Sequence, residues 1–280
     1  MRNIKIVTDS TCDLSPEEIK SLNIHVIPLS ISIEGETYLD RVDITPSQFI
    51  EKMNQSTQLP KTSQPAVGEF LKLYDELGED DSEILSIHLA GKLSGTVESA
   101  RSAAEMSKTK VTVIDSEYIA KALSFQVKEA VKMVNEKLTI SEIINKLKDV
   151  RANTKLYVVL DTLDNLVKGG RIGRGKAFIG SLLNIKPIAM LNEGEYTPVG
   201  KVRSQTQAIN FIMKQLKNDV QNMRLKGIGI SHANAYSLAT EIKSKIEELI
   251  GFHDVEIAET TPVISTHTGS GAIGFCYYLE

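Results

Sequence analysis

The densest run of chemically capable residues is Lys168-Gly169-Gly170-Arg171-Ile172-Gly173-Arg174-Gly175-Lys176, four cations and four glycines in nine positions. Glycines this close together permit backbone angles closed to other residues. An arginine held among them offers a planar fork to a carboxylate or phosphate. A solvated basic turn has the same composition. The stretch that follows, 177–185, is apolar on nearly every side, which suits an amphiphile with an acidic head and equally suits a buried helix. Ser94, Gly95 and Thr96 stand where a helix should open after a strand, and the unpaired N–H groups of a helix start favour an anion. A serine N-cap with no further role is the simpler reading. His267 lies within Ser265-Thr266-His267-Thr268-Gly269, ringed by hydroxyls and glycines, though a loop histidine is commonly structural.

Other constellations are excluded by their context. Gly269-Ser270-Gly271-Ala272-Ile273-Gly274 spells a dinucleotide fingerprint. That fingerprint must open a long helix within a βαβ unit, and six residues remain after it. A tight turn or a close backbone approach is the expected meaning. Gly91-Lys92-Leu93-Ser94 lacks the upstream glycine of a P-loop, position 86 being serine. His25, His88, His232, His253 and His267 are scattered, with no H-E-x-x-H, so no metal site and no metal cofactor are expected. Cys12 and Cys276 are too few for a disulfide framework, and incidental burial is expected for both. No G-x-S-x-G elbow is present. Asp9, Asp13, Asp115 and Asp161 fall at strand ends, where an enzyme could use them with His267 in a phosphotransferase or hydrolase, but no partner is paired with any of them in sequence.

The elements that must position these groups alternate through the first half. Ile4–Val7 reads as a strand, and Ser15-Pro16-Glu17-Glu18 as a capped helix start with proline in the first turn. Residues 24–33 read as one strand with alternating Leu29, Ile31 and Ile33. Thr45-Pro46-Ser47-Gln48 caps a second helix, and Val67, Phe70, Leu71 and Tyr74 mark a third. Strand 84–89, a small-residue helix to about Met106, and strand 111–114 follow. Next come a long helix with Ala120, Leu123, Val127, Ala130, Val131 and Val134 on one stripe, a helix capped by Thr139 and Glu142, and strand 156–160. This pattern predicts a mostly parallel sheet with helices on both faces.

The second half is patterned differently. A hairpin turns at Asn192-Glu193-Gly194-Glu195. A helix runs from Ser204, a strand spans 228–230 and a helix 235–250. Further strands are read near 255–258, 263–265 and 275–279. The expected fold class is α/β: an N-terminal three-layer α/β domain (1–155) with a mostly parallel sheet, then a C-terminal α+β domain (156–280). The cleft or tunnel between them is the default ligand site.

Composition fits such a body. The 280 residues are 41% apolar and 24% charged, with no tryptophan and a net charge of −4. No global positive field invites nucleic acid, and no basic recognition helix stands out. No apolar run spans a membrane and the start has no signal-peptide core, so the expected location is cytoplasmic.

Taken together the segments resemble the DegV family of bacterial fatty-acid-binding proteins. The likeness rests on Ile6-Val7-Thr8-Asp9-Ser10-Thr11-Cys12-Asp13-Leu14, Thr62-Ser63-Gln64-Pro65, Leu93-Ser94-Gly95-Thr96 and Lys168-Gly169-Gly170-Arg171-Ile172. It continues through Leu183-Asn184-Ile185-Lys186-Pro187-Ile188, Lys201-Val202-Arg203 and His267-Thr268-Gly269-Ser270-Gly271. Each piece is weak alone; their order and spacing are specific. The resemblance implies one long-chain fatty acid as ligand, lodged in a tunnel between the domains. Hydroxyls of Thr62 and Ser94 would hold its carboxylate, with Ser63, Gly95, Arg171 and His267 in the surrounding polar network. It implies a carrier without catalytic residues, whose partner is a separate fatty acid kinase that makes an acyl phosphate for phospholipid synthesis. Arg203 is the residue expected to meet that kinase. Transient membrane contact is compatible with such a role.

Overall fold

Helix caps written in the sequence set the frame of the fold. The structure, a computed structural model, describes residues 3–174 and 185–280. The expectations placed on Gly175, Lys176 and 177–184 lie outside the described residues. β1 (Ile4–Asp9) passes through a 3-10 turn (Ser10–Cys12) into α1 (Pro16–Ser21). There Ser15 and Glu18 form the reciprocal capping box, with Pro16 at the first helical position. The single strand expected over 24–33 is two, β2 (Ile24–Ile27) and β3 (Ser30–Ile33), in different sheets. Pro28 between them has no N–H for a ladder, so the chain changes sheet there.

β3 pairs with β4 (Glu36–Leu39), and α2 (Pro46–Gln55) starts at a capping box of Thr45 and Gln48. β5 (Lys61–Ser63) returns to β3, completing a small antiparallel sheet ordered β4-β3-β5. Then come α3 (Val67–Leu77), β6 (Glu83–His88), α4 (Thr96–Met106), β7 (Val111–Asp115), α5 (Ala120–Asn135) and α6 (Ile140–Ala152). β2-β1-β6-β7 form an all-parallel sheet. The strand order reverses direction between β1 and β6, and crevices at the carboxyl ends of such strands are where open α/β sheets hold ligands.

From Thr154 onward every strand belongs to another sheet. β8 (Thr154–Val159), α7 (Asp164–Lys168), β9 (Lys186–Asn192) and β10 (Glu195–Val202) lead to α8 (Gln205–Asp219). The β9–β10 turn places Glu193 and Gly194 at positive φ, the mirror-image turn that tight hairpins favour. β11 (Leu225–His232), α9 (Tyr236–Ile250), β12 (Val255–Glu259), α10 (Pro262–Thr268) and β13 (Ile273–Leu279) complete a mixed sheet ordered β10-β9-β8-β13-β11-β12.

Residues 263–265, expected as a strand, lie inside α10. Thr261 caps that helix and Pro262 opens it. Pro262 to Thr266 are all buried, and a short helix buried all round shows no helical period, so its branched residues read as a strand.

Side-chain alternation explains the layering. Ile6, Leu85 and Ile87 face one core while Val7 and Ile84 face another. Leu156, Val158, Cys276 and Tyr278 join the first of these, while Tyr157, Val159, Phe275 and Tyr277 face α8 and α9. The shared core is built around α5, which lies between the parallel and mixed sheets and buries even Lys121, Ser124 and Gln126. The amphipathic helix expected here is instead a central one. Lys121 is 3% exposed and is neutralised by Glu256 at 2.7 Å, with Glu18 at 3.8 Å. Both cysteines are buried, free thiols.

Candidate functional site: a cavity with a hydroxyl-and-guanidinium pole

A cavity of about 340 Å³ opens beside the carboxyl end of β6, within the size range of small-molecule sites. Its apolar wall comprises Leu29, Leu89, Ile119, Val263 and Ile264, with Leu93 and Tyr196. Its polar residues are Thr62, Ser63, Gln64, Ser94, Arg171 and His267. These arrive from four places in the chain: β5 and the residue after it, the β6–α4 loop, the loop after α7, and α10.

The polar groups orient one another. His267 Nε2 lies 2.8 Å from Thr62 Oγ1. Burial, helped by the nearby Arg171 charge, pulls the His267 pKa down to about 4, so the ring is neutral near pH 7. Its buried Nδ1 has no partner among the described residues. A bare lone pair is less costly to bury there than an unsatisfied N–H, which assigns the proton to Nε2. Nε2–H then donates to Thr62, and the threonine's own O–H is left to donate elsewhere. Ser94 Oγ is treated alike: it accepts from Thr96 N at 3.3 Å and faces Thr96 Oγ1 at 2.9 Å. When Thr96 Oγ1 is the donor of that hydroxyl pair, the Ser94 proton is free to point into the cavity.

Arg171 supplies the charge. Its Nε donates to Leu93 O at 3.1 Å and its Nη1 to Gly169 O at 2.6 Å. Two of five N–H donors are thereby spent on carbonyls, leaving three. No carboxylate pairs with it among the described residues. The glycines around it act as their density predicts. Gly170 and Gly173 take positive φ, and a Cβ at Gly169 would run into the His267 ring. Arg174 is exposed, and its Nε pairs with Glu195 at 3.0 Å.

Other expected residues are placed less centrally. Gly95, rather than Ser94, is the N-cap of α4. Gly95 is absent from the lining and instead makes room for Gln64, whose Nε2 donates to Ser99 Oγ at 2.9 Å. Ser63 lines the cavity but is exposed. Arg203 is not among the lining residues; it is exposed, between β10 and α8.

None of the strand-end aspartates lines the cavity. Asp9 is buried against His88 and the Thr11 and Leu89 amides, and Asp13 accepts from Thr260 at 3.2 Å. Asp115 binds the Gly91 and Glu117 amides, and Asp161 pairs with Lys186. The glycine-rich segment after α10 is a turn. Gly269 and Gly271 have positive φ, and a Cβ at Gly271 would strike Asp161. Among the described residues no cluster of three metal-binding side chains occurs, and no helix is long and apolar enough to cross a membrane.

Sequence reading missed Tyr196, Ile119, Val263 and Gln64 as lining residues. Nothing local marks the first three, since each is an ordinary core residue of its own element. Gln64 sat inside a quoted motif without a role.

Comparison with known proteins supplies the wider frame. The DegV family model matches residues 3–280. A DegV domain-containing protein of Staphylococcus aureus (strain N315) is 46% identical over 269 residues, 96% of each chain. Two solved structures cover all of this chain and are themselves wholly covered. One is a Thermus thermophilus structure described as fatty acid binding of a DegV family protein, 32% identical with a TM-score of 0.93. The other is the crystal structure of DegV, a fatty acid binding protein from Bacillus subtilis, 33% identical with a TM-score of 0.91.

Proposed function

The chain belongs to the DegV family, and from that premise we propose that it is a carrier which binds a long-chain fatty acid and presents its carboxylate to a separate kinase. The observation that carries this reading is the pairing, in one cavity, of an apolar wall with two back-held hydroxyls and an arginine lacking a carboxylate partner among the described residues. A chain of about 14 methylenes gains roughly 11 kcal/mol on leaving water, at about 0.8 each. Association costs of several kcal/mol are thus met by the tail. The head group then needs only neutralisation. Thr62 and Ser94 each offer one O–H and Arg171 up to three N–H groups, enough for the four lone-pair sites of a carboxylate. The relatives described above as binding fatty acids support the same ligand class.

No base or nucleophile is assigned to the carrier itself, because its strand-end carboxylates are committed to loops and salt bridges. The kinase would transfer a phosphoryl group to the held carboxylate, and the acyl phosphate would feed phospholipid synthesis. Arg203, exposed at the β10–α8 junction, is the proposed kinase contact. A cytoplasmic carrier that touches membranes only to load or unload fits this scheme.

Solvent extraction of purified protein followed by mass spectrometry tests the ligand. One fatty acid per chain is expected; a lipid-free protein that turns over ATP alone would instead make it an enzyme. Arg203→Ala is expected to leave lipid retention unchanged and to slow phosphorylation of the bound acid by about tenfold or more. Equal damage to both would remove its partner-specific role.

A further inference from the structure

A second concavity, of about 470 Å³, runs along the outer side of β2 between α1 and the 40–42 loop. Its apolar surface comes from Cys12, Pro16, Ile19, Ile24, Val26 and Val42, the last 66% exposed. Lys20 and Arg41 also line it, and neither forms an ion pair among the described residues; Arg41 spends one N–H on Leu14 O. The one carboxylate in the lining, Asp40, is 1% exposed and turned inward to Ser10 Oγ and the Val263 amide. The wall is therefore apolar with a basic rim, in which Lys20 is exposed and Arg41 also acts at longer range on the buried Asp13 and Asp40.

We propose that this groove docks an extended segment of a partner protein, carrying a carboxylate beside apolar side chains, as a strand added to the free edge of β2. β2 pairs only with β1, and no backbone hydrogen bond leaves its outer side among the described residues. Four consecutive residues, Asn23 to Val26, line the groove, so it exposes main-chain donors and acceptors that an extended peptide matches in strand addition. A bound hydrocarbon would leave them unanswered. Pro28 limits the edge to four residues, so side-chain fit in the groove and the charges of Lys20 and Arg41 must supply the selectivity.

Position gives such docking a consequence. Ser10 Oγ donates to Asp40 Oδ2 at 2.6 Å and accepts from Leu29 N at 3.1 Å, while Asp40 Oδ1 accepts from Val263 N at 3.3 Å. Ser10 and Asp40 line the groove; Leu29 and Val263 line the cavity. The two concavities share this hydrogen-bonded wall. The docking proposal itself does not depend on what the cavity holds.

The probe is a blocked, fluorescently labelled heptapeptide of alternating valine and glutamate, with a valine–lysine counterpart as control, titrated by anisotropy against the full-length protein. The acidic peptide is expected to bind with a Kd of about 1 mM or tighter, and the basic one at least about tenfold more weakly. Lys20→Glu with Val42→Asp, both exposed positions, should weaken the acidic peptide by about tenfold or more without shifting the melting temperature. Failure of the acidic peptide to bind, equal binding of both peptides, or unchanged binding to the double variant would each overturn the proposal. Binding of dodecanoate at the groove without the peptide would overturn it too, by making the occupant a small amphiphile. None of these outcomes bears on the fatty acid assigned to the main cavity.

Discussion

Two buried histidines, each against a hydroxyl, do opposite work in this molecule. His88 faces Asp9 Oδ2 through Nδ1 at 3.1 Å and Ser86 Oγ through Nε2 at 2.6 Å, and Ser86 continues to the Tyr74 hydroxyl at 2.8 Å. Carboxylate, imidazole and serine thus stand in the order of a hydrolytic triad. Asp9, Ser86, His88 and Tyr74 are nevertheless all 0% exposed, so no substrate reaches the serine, and every polar atom in the relay is spent. Among the described residues His267 hydrogen-bonds only to Thr62, and it stands in a cavity wall with its other nitrogen bare. A satisfied polar network holds a fold; an incomplete one beside open space keeps hydrogen-bonding capacity that a ligand can use.

The contrast breaks most readily at Asp9. Asp9→Ala strips the acceptor from the Leu89 amide, the Thr11 amide and hydroxyl, and His88 Nδ1, all buried. Orphaned buried donors cost about 1–3 kcal/mol each, so urea unfolding should show a loss of about 4 kcal/mol, the largest effect expected here. A near-wild-type midpoint would mean the network is not a structural clamp. Thr62→Ala combined with Ser94→Ala should do the reverse. Two hydrogen bonds to a charged head group are worth about 1.5 kcal/mol each, so affinity for a long-chain fatty acid should fall about 100-fold. Stability should fall by about 2 kcal/mol at most, the cost of the one ring donor, His267 Nε2–H, that loses its acceptor. Unchanged lipid retention in the double variant would detach both hydroxyls from the head group.

How far these roles were legible in the sequence follows from the range of the signal. Capping boxes at Ser15, Thr45 and Thr139 are local patterns and folded as written. The residues at the cavity's polar pole were named from an ordered set of motifs rather than from local chemistry, which left Ser94 as a plain cap and Lys168–Lys176 as a basic turn. Pairings across long separations stayed hidden: Thr62 with His267, Arg171 with the Leu93 carbonyl, and the whole His88 relay. The misread strand at 263–265 and the amphipathic reading of α5 share one cause. Both helices are buried on most sides, and burial erases the period on which the reading depends.

The smallest expected effect sharpens the contrast through protons. In the lipid-free protein His267 titrates near 4, against about 6.5 when unfolded. Between those values the unfolded chain binds a proton that the folded one refuses, so this residue's contribution to stability falls as pH drops from about 6.5 to about 4. Asp40 opposes it. Burial raises its carboxyl to about 6, so between about 6 and 3.8 the folded state binds the extra proton and stability rises as pH falls. The wild-type profile is the sum of opposing slopes, and a flat curve alone would hide both. His267→Asn keeps a polar side chain against Thr62 but removes one slope. From pH 7 to pH 5 the variant should gain about 1 kcal/mol relative to wild type, residual solvent at the cavity-facing ring screening part of the full linkage. Parallel wild-type and variant curves would show that His267 is as well satisfied as His88, and the distinction between clamp and binding wall would fail at its most local point.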